Sequence, residues 1–341
     1  MFLIRSYVSP YRSLRIRQAA RSYKSKAAGL TRIRAALAVA GLTAFACLDA
    51  AAADGAATAS VRWWILPLVL CAVCFFLGMI AVPAGVGGGV LFVPIVAGFF
   101  PFHLDFVRGA GLLVALSSAL SAGPALLRSG LANLRLALPL ALLASTSSIF
   151  GALLGLALPV AIVQIALGIM ILGIVVVMAL AKRSEFPDVP RPDALSTALG
   201  MHGVFHDPAA GRDVRWKVHR TPLGLALFTL IGVLAGLFGI GAGWANLPAL
   251  NLVMGVPIKL AAGTSGFILS LVDSSAAWIY LNQGAVLPMV AVPSVIGMML
   301  GAKVGVRLLR VLPASTIRRF MLVLLSFAGL RTLLKGLGIW S

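Results

Sequence analysis

Gly85-Val86-Gly87-Gly88-Gly89 lies deep in an apolar run that ends near Phe102, and it returns as Gly239-Ile240-Gly241-Ala242-Gly243. Proline follows each copy at the same distance, Pro94 in the first and Pro248 in the second, so matched positions lie 154 residues apart. The register holds beyond the glycines: Gly109 falls on Gly263, Gly130 on Gly284 and Pro139 on Pro293. Leu127-Arg128-Ser129-Gly130 falls on Leu281-Asn282-Gln283-Gly284. The chain is an internal duplication over most of its length.

Glycine weakens a helix and permits backbone angles that other residues avoid. At bilayer depth such irregular backbone survives only where protein or a water-filled cavity surrounds it. Interrupted apolar segments at corresponding positions of two halves point to a transporter's binding site. The plainer alternative is that the glycines let helices approach closely. A clustered and duplicated G-x-G-G-G-x4-P pattern favours the functional break.

These motifs resemble the TauE/SafE sulfite exporter family. The resemblance rests on the glycine-proline pattern in both halves and on Gly263-Thr264-Ser265, and it runs over residues 64–338. The first half carries Gly109-Ala110-Gly111 where the family often has Gly-Thr-Ser, and the second half places Ala242 and Trp244 inside its glycine motif. The resemblance implies a membrane transporter of a small sulfur-containing anion.

Composition agrees on the class. The 341 residues are 60% hydrophobic and 11% charged, with mean hydropathy +1.04, which excludes an ordinary soluble domain of this length. The runs do not alternate, which excludes an outer-membrane barrel. The expected fold is an all-α polytopic integral membrane protein with two inverted repeats, each containing a glycine-broken helix.

The net charge of +19 is no nucleic-acid signature. Nine basic residues from Arg5 to Arg34 precede the first acid, and the remainder sit mostly in loops. Contact with anionic membrane lipids accounts for this better than DNA. Cys71 and Cys74 share a helix face without a second CxxC, and read as small buried hydrophobes.

Along the chain, residues 1–60 form a basic N-terminal region. An apolar stretch over 35–48 and Ala51-Ala52-Ala53 give it the pattern of a signal peptide, or of an extra helix. Residues 61–181 form the first transmembrane repeat, with Trp63 and Trp64 as interfacial anchors. Residues 182–220 form a polar linker, expected in the cytoplasm, holding five of the nine acids together with His202 and His206. Those histidines are read as solvated rather than metal-bound. Residues 221–341 form the second repeat.

Loop charge sets the orientation. Arg128 and Arg135 place the first repeat's short loop in the cytoplasm, whereas its counterpart 282–284 is uncharged. Arg307, Arg310, Arg318 and Arg319 put the next loop of the second half in the cytoplasm. Equivalent loops then lie on opposite sides, which requires an odd number of crossings per half, most simply five counting both arms of the broken helix. Arg331 and Lys335 fit this scheme less well. The expected location is the inner (cytoplasmic) membrane.

Each break frees backbone N–H groups, and the helix that follows points its positive end at the break. Gly85, Gly87, Gly88 and Gly89, with Gly239, Gly241 and Gly243, are therefore the candidate substrate-binding residues, forming an anion site that needs no basic side chain. Asn246 adds an amide, and Thr264 and Ser265, beside Gly263, add hydroxyls; helix–helix hydrogen bonding is the alternative for the hydroxyls. Asp273 is the one acid well inside an apolar run and the candidate for proton coupling, with a structural carboxylate as the alternative. Arg108 and Lys259 are expected to snorkel to the headgroups. Substituting a break glycine by valine is expected to remove anion binding at little cost in stability.

No span carries a histidine: His103, His202, His206 and His219 all fall in turns or the linker. HExxH, GxSxG and a P-loop are absent, which argues against an intramembrane enzyme or an ATP-driven pump. No catalytic residue, metal or cofactor is expected. A secondary transporter for a small anionic substrate is the favoured reading, an anion channel the alternative, and a homodimer is compatible with it.

Overall fold

A computed structural model describes residues 64–84, 87–128, 132–180, 192–207, 212–308 and 314–339. The expected signal segment, Gly85 and Val86 lie outside the described residues. The first half comprises α1 (Ile65–Ala84), α2 (Gly89–Phe99), α3 (Leu104–Arg128), α4 (Leu134–Ala157) and α5 (Val160–Leu180). The linker holds α6 (Ala194–Ala198), β1 (His202–Asp207) and β2 (Arg212–Lys217). The second half comprises α7 (Thr221–Phe238), α8 (Gly243–Pro248) running into a π-helical stretch (Ala249–Val253), α9 (Ile258–Asn282), α10 (Pro288–Leu308) and α11 (Ala314–Gly336). The duplication fixes element boundaries: α2 and α8, α3 and α9, α4 and α10, and α5 and α11 each begin 154 residues apart.

Six of the described helices are long and apolar enough to cross a membrane. Their surfaces are inverted relative to a soluble protein. Leu142, Phe150 and Leu180 are 67%, 70% and 75% exposed, as lipid-facing side chains should be, while Ser118, Ser148, Asn246, Thr264 and Asp273 are buried. Many hydroxyls are satisfied by the preceding turn of their own helix; Ser147 Oγ, for example, donates to Ala144 O at 3.1 Å.

Glycines outside the clusters do serve packing. A methyl built on Gly297 would lie 2.1 Å from Cys71 O, and one on Gly301 only 2.0 Å from Phe75 O, so α10 lies tight and parallel against α1. The matched pair does the same: Gly151 meets Val233 O at 2.0 Å and Gly155 meets Leu237 O at 2.6 Å, so α4 lies parallel to α7. In α5 and α11, which occupy matched positions, Gly168 meets Leu333 and Gly336 meets Ile165, so these two run antiparallel.

The chain turns back at each glycine cluster. The end of the π-helical stretch returns to the start of α7, with His219 N donating to Met254 O at 3.2 Å. In the first half, α10 runs parallel to both α1 and α3, with Gly109 against Ala285 and Ser121 Oγ 3.4 Å from Met299 O. Gly89 opens α2 beside Gly111 and Ala115, and the short 100–103 turn returns the chain into α3. α2 therefore runs against α1. The clusters are hairpin tips. A turn of this tightness needs left-handed backbone, which an unbroken helix axis would not.

Two further details differ from the sequence reading. Arg331 and Lys335, which fit the loop-charge scheme less well, both lie in α11 and have partners inside the protein: Lys335 Nζ donates to Ala97 O at 3.2 Å, and the Arg331 guanidinium lies 3.8 Å from the centre of the Phe99 ring. They cap the carbonyl end of α2, where positive charge is favoured. The linker also folds. β1 pairs antiparallel with β2, His202 opposite Lys217 and His206 opposite Asp213. The hairpin's root, Trp216 and Val218, is buried in one cluster with Phe228, Leu250 and Met254. Asp193 caps α6 through Ser196 N and also accepts from Thr221 N at 2.9 Å and Thr221 Oγ1 at 2.8 Å, tying the linker to the first turn of α7.

Candidate functional site

The matched glycines Gly87 and Gly241 have φ of +83° and +75°, and Gly239 has +67°. These left-handed angles cost other residues about 1–2 kcal/mol each. They turn the chain so that α2 starts at Gly89 behind Gly88, and α8 starts at Gly243 behind Ala242, neither with a side-chain cap.

The two tips meet. A methyl on Gly89 would lie 2.7 Å from Ile240 O of the other tip and 3.0 Å from both Gly111 O and Ala115 Cβ. One on Gly87 would lie 4.0 Å from Gly243 Cα and 3.1 Å from Leu269 Cδ2. Ala115 in turn faces Gly241, so the matched residues Ala115 and Leu269 each bear on the opposite half's tip. α2 is buried along its full length.

Asp273 stands at this crossing. A methyl on Gly241 would be 3.1 Å from Asp273 Oδ2 and 3.2 Å from Oδ1, so the carboxylate lies directly on the second tip. The residue is fully buried, and neither oxygen has a hydrogen-bond partner among the described residues. The Ala242 N–H is the neighbouring donor, short of good hydrogen-bond geometry. A buried carboxylate that no side chain satisfies is costly as a mere structural element.

The other expected site residues divide. Gly88 N donates to Ser118 Oγ at 3.3 Å, so one freed N–H is already held by α3. Asn246, one turn into α8, is fully buried with both amide atoms unpaired among the described residues. Thr264 Oγ1 accepts from Asn133 N at 3.3 Å, at the N-cap of α4. Ser265 is buried beside it, two turns before Asp273. Gly263 lines a cavity of about 180 Å³ between α3 and α9, reaching from Ala119 and Ser270 to Ala132.

Arg108 corrects an expectation. It does not snorkel; it is 1% exposed. Its guanidinium donates to Leu237 O at 3.1 Å, to Gly155 O at 2.9 Å and to Asp105 Oδ1, and lies 5.6 Å from the Tyr280 ring centre. It thus caps the carbonyl ends of both α4 and α7, just ahead of the second tip, where Gly239 packs on its Cα. Lys259 is half-buried in the first turn of α9.

Sequence reasoning missed Ser118, Ala115 and Arg108 as parts of this site. Ser118 immediately precedes Ala119, the position that matches Asp273, so laying one copy on the other points to it.

Comparisons with known proteins agree with this architecture. The chain is 30% identical over 138 residues to the probable membrane transporter protein YunE of Bacillus subtilis, covering 40% of this chain and half of that protein's length. It is 27% identical over 256 residues to the probable membrane transporter protein ORF9 of a Sinorhizobium species, covering 74% of this chain and 87% of that one. No solved structure matches. The profile of the family described as sulfite exporter TauE/SafE, a family of membrane transporters rather than enzymes, matches residues 70–332. With crossed glycine tips inside a multi-pass helical bundle, the chain belongs to the sulfite exporter TauE/SafE family.

Proposed function

We propose that the protein is a secondary transporter that moves a small anion, such as sulfite, a sulfonate or a short carboxylate, across the inner (cytoplasmic) membrane. The anion sits where the two glycine tips cross, held by backbone N–H groups, with Asn246 as a side-chain donor. Asp273 carries a proton that couples transport to the proton gradient. The observation that carries this reading is the meeting of both tips against one buried carboxylate.

The repeats, residues 61–181 and 221–341, are inverted relative to each other, and the 182–220 linker is cytoplasmic. The antiparallel packing of α5 against its counterpart α11 supports the inversion. The basic loop residues contact anionic lipid. A homodimer is compatible with this arrangement.

Purified protein in liposomes tests the reading. Under an imposed pH gradient the wild type should accumulate sulfite against its concentration gradient, and Asp273→Asn should fold and bind but fail to accumulate. Flux that only equilibrates the anion would mean a channel. Accumulation with unchanged pH dependence in Asp273→Asn would return Asp273 to a structural role.

A further inference from the structure

We infer that the crossed tips select for charge state: the site takes a singly charged anion together with the proton on Asp273, and rejects dianions. This rests on the anion site proposed above.

The inference follows from an inventory of charge around the crossing. α9 packs against α3, α4, α7, α8 and the π-helical stretch. α2, α7, α8 and the π-helical stretch contain no acidic, basic or histidine residue. α4 carries only Arg135, in its first turn, near the Asn133–Thr264 contact and away from the tips. α3 carries Asp105, Arg108 and Arg128. Arg128 ends that helix ten residues beyond Ser118, roughly 15 Å along the axis. α9 itself carries Lys259 and Tyr280 besides Asp273. Lys259 lies fourteen residues before Asp273, about 21 Å along the axis.

Among the described residues the cations nearest the tips are Lys303, five residues past the Met298 that meets Gly88 and exposed on α10, and Arg108, whose terminal nitrogens are occupied. Asp105 and the carbonyl ends of two helices take up the two terminal nitrogens of Arg108, and Gly239 packs on its Cα; only Nε is left without a partner among the described residues. The positive potential at the crossing therefore comes from backbone alone. The N-terminus of α2 supplies roughly half a unit of positive charge, and the start of the eleven-residue helical run Gly243–Val253 about as much again.

Together these amount to about one positive charge. An ionised Asp273, lying on Gly241, cancels it, and an incoming anion then meets no net attraction in a low-dielectric interior. A protonated Asp273 leaves the positive charge free and adds an O–H donor. That balances one negative charge. A dianion would leave one charge uncompensated, which a buried site penalises. The proton and the anion therefore bind as one neutral pair, which fixes the class of substrate as monoanionic: a hydrogen sulfite rather than a sulfite dianion, an alkylsulfonate rather than sulfate.

The test uses full-length protein in detergent and two probes of fixed charge, sodium methanesulfonate and sodium sulfate, titrated at constant ionic strength. At low pH methanesulfonate should bind at least about ten-fold tighter than sulfate. Its affinity should weaken as the pH rises, by up to about ten-fold per pH unit once Asp273 ionises. Asp273→Asn should keep the preference for methanesulfonate and lose the pH dependence. Sulfate binding as tight as methanesulfonate in the wild type overturns the charge rule, and does so without recourse to any variant. A pH dependence that persists in Asp273→Asn overturns the role of Asp273 in it. No response to either anion at any pH overturns the anion site itself, a different failure from a preference for the dianion.

Discussion

At the scale of single residues, the break glycines are not interchangeable. Gly88 has a right-handed φ of −68°, and a methyl there first meets the flexible Met298 side chain, with Sδ and Cε 2.7 Å away. Gly241 has φ +75° and the Asp273 carboxylate at its back. Gly88→Ala should leave the unliganded Tm within a few degrees and abolish the upward shift that methanesulfonate gives the wild type. Early melting with the shift intact would mean that Gly88 serves packing. Gly241→Ala should cost at least about 1–2 kcal/mol from its backbone angle alone, so valine at Gly241 is no clean test of binding. Asp193 offers a separate measurement in the linker. Its partial burial pushes its carboxyl up, but the hydrogen bonds it accepts from Ser196 and Thr221 outweigh that and hold it below its ordinary value of 3.8. A lowered value means stabilisation that is present above pH 3.8 and lost as the pH falls below it. Asp193→Ala should destabilise by about 1 kcal/mol at neutral pH, as loss of a cap does, and Asp193→Asn by less; the deficit should shrink in acid unfolding scans.

Between elements, the decisive contacts are backbone on backbone. Gly301→Leu would drive its side chain into Phe75 O, 2.0 Å from the position of its first carbon, and should prevent recovery of monodisperse protein. Gly173→Leu, on an exposed face with nothing within 4 Å, should change stability by no more than about 0.5 kcal/mol in the same assay. Both glycines look alike in the sequence. The helices, their boundaries and the duplication were legible because hydrophobic runs and a 154-residue register are written in residue identity. The turning back at the tips was not, because a glycine cluster permits many backbone paths and the choice among them is made by the helices packed around it. Asp273 was legible because one acid in an apolar run stands out, whereas Ser118 and Ala115 belong to residue types found on any membrane helix. Arg108 was misjudged since an arginine near a helix start ordinarily reaches water. Here two helix ends and Asp105 offer it carbonyl and carboxylate oxygens inside the protein.

For the whole molecule, the reading of opposed halves predicts that single cysteines at Ser129 and Gln283 label from opposite sides of the membrane, with Cys47, Cys71 and Cys74 replaced. Labelling of both from one side would defeat the inversion. The parallel seams carry a further consequence. The first helix of each half, α1 or α7, is zipped to the fourth helix of the other, α10 or α4. The halves that the gene repeats are therefore not the bodies that can move, since parting them would unzip both seams. Any rocking must leave α1 with α10 and α7 with α4, so each mobile body is woven from both halves of the chain. A chain cut after Pro190 and expressed as two fragments should yield a stable, co-purifying pair, and neither fragment should persist alone.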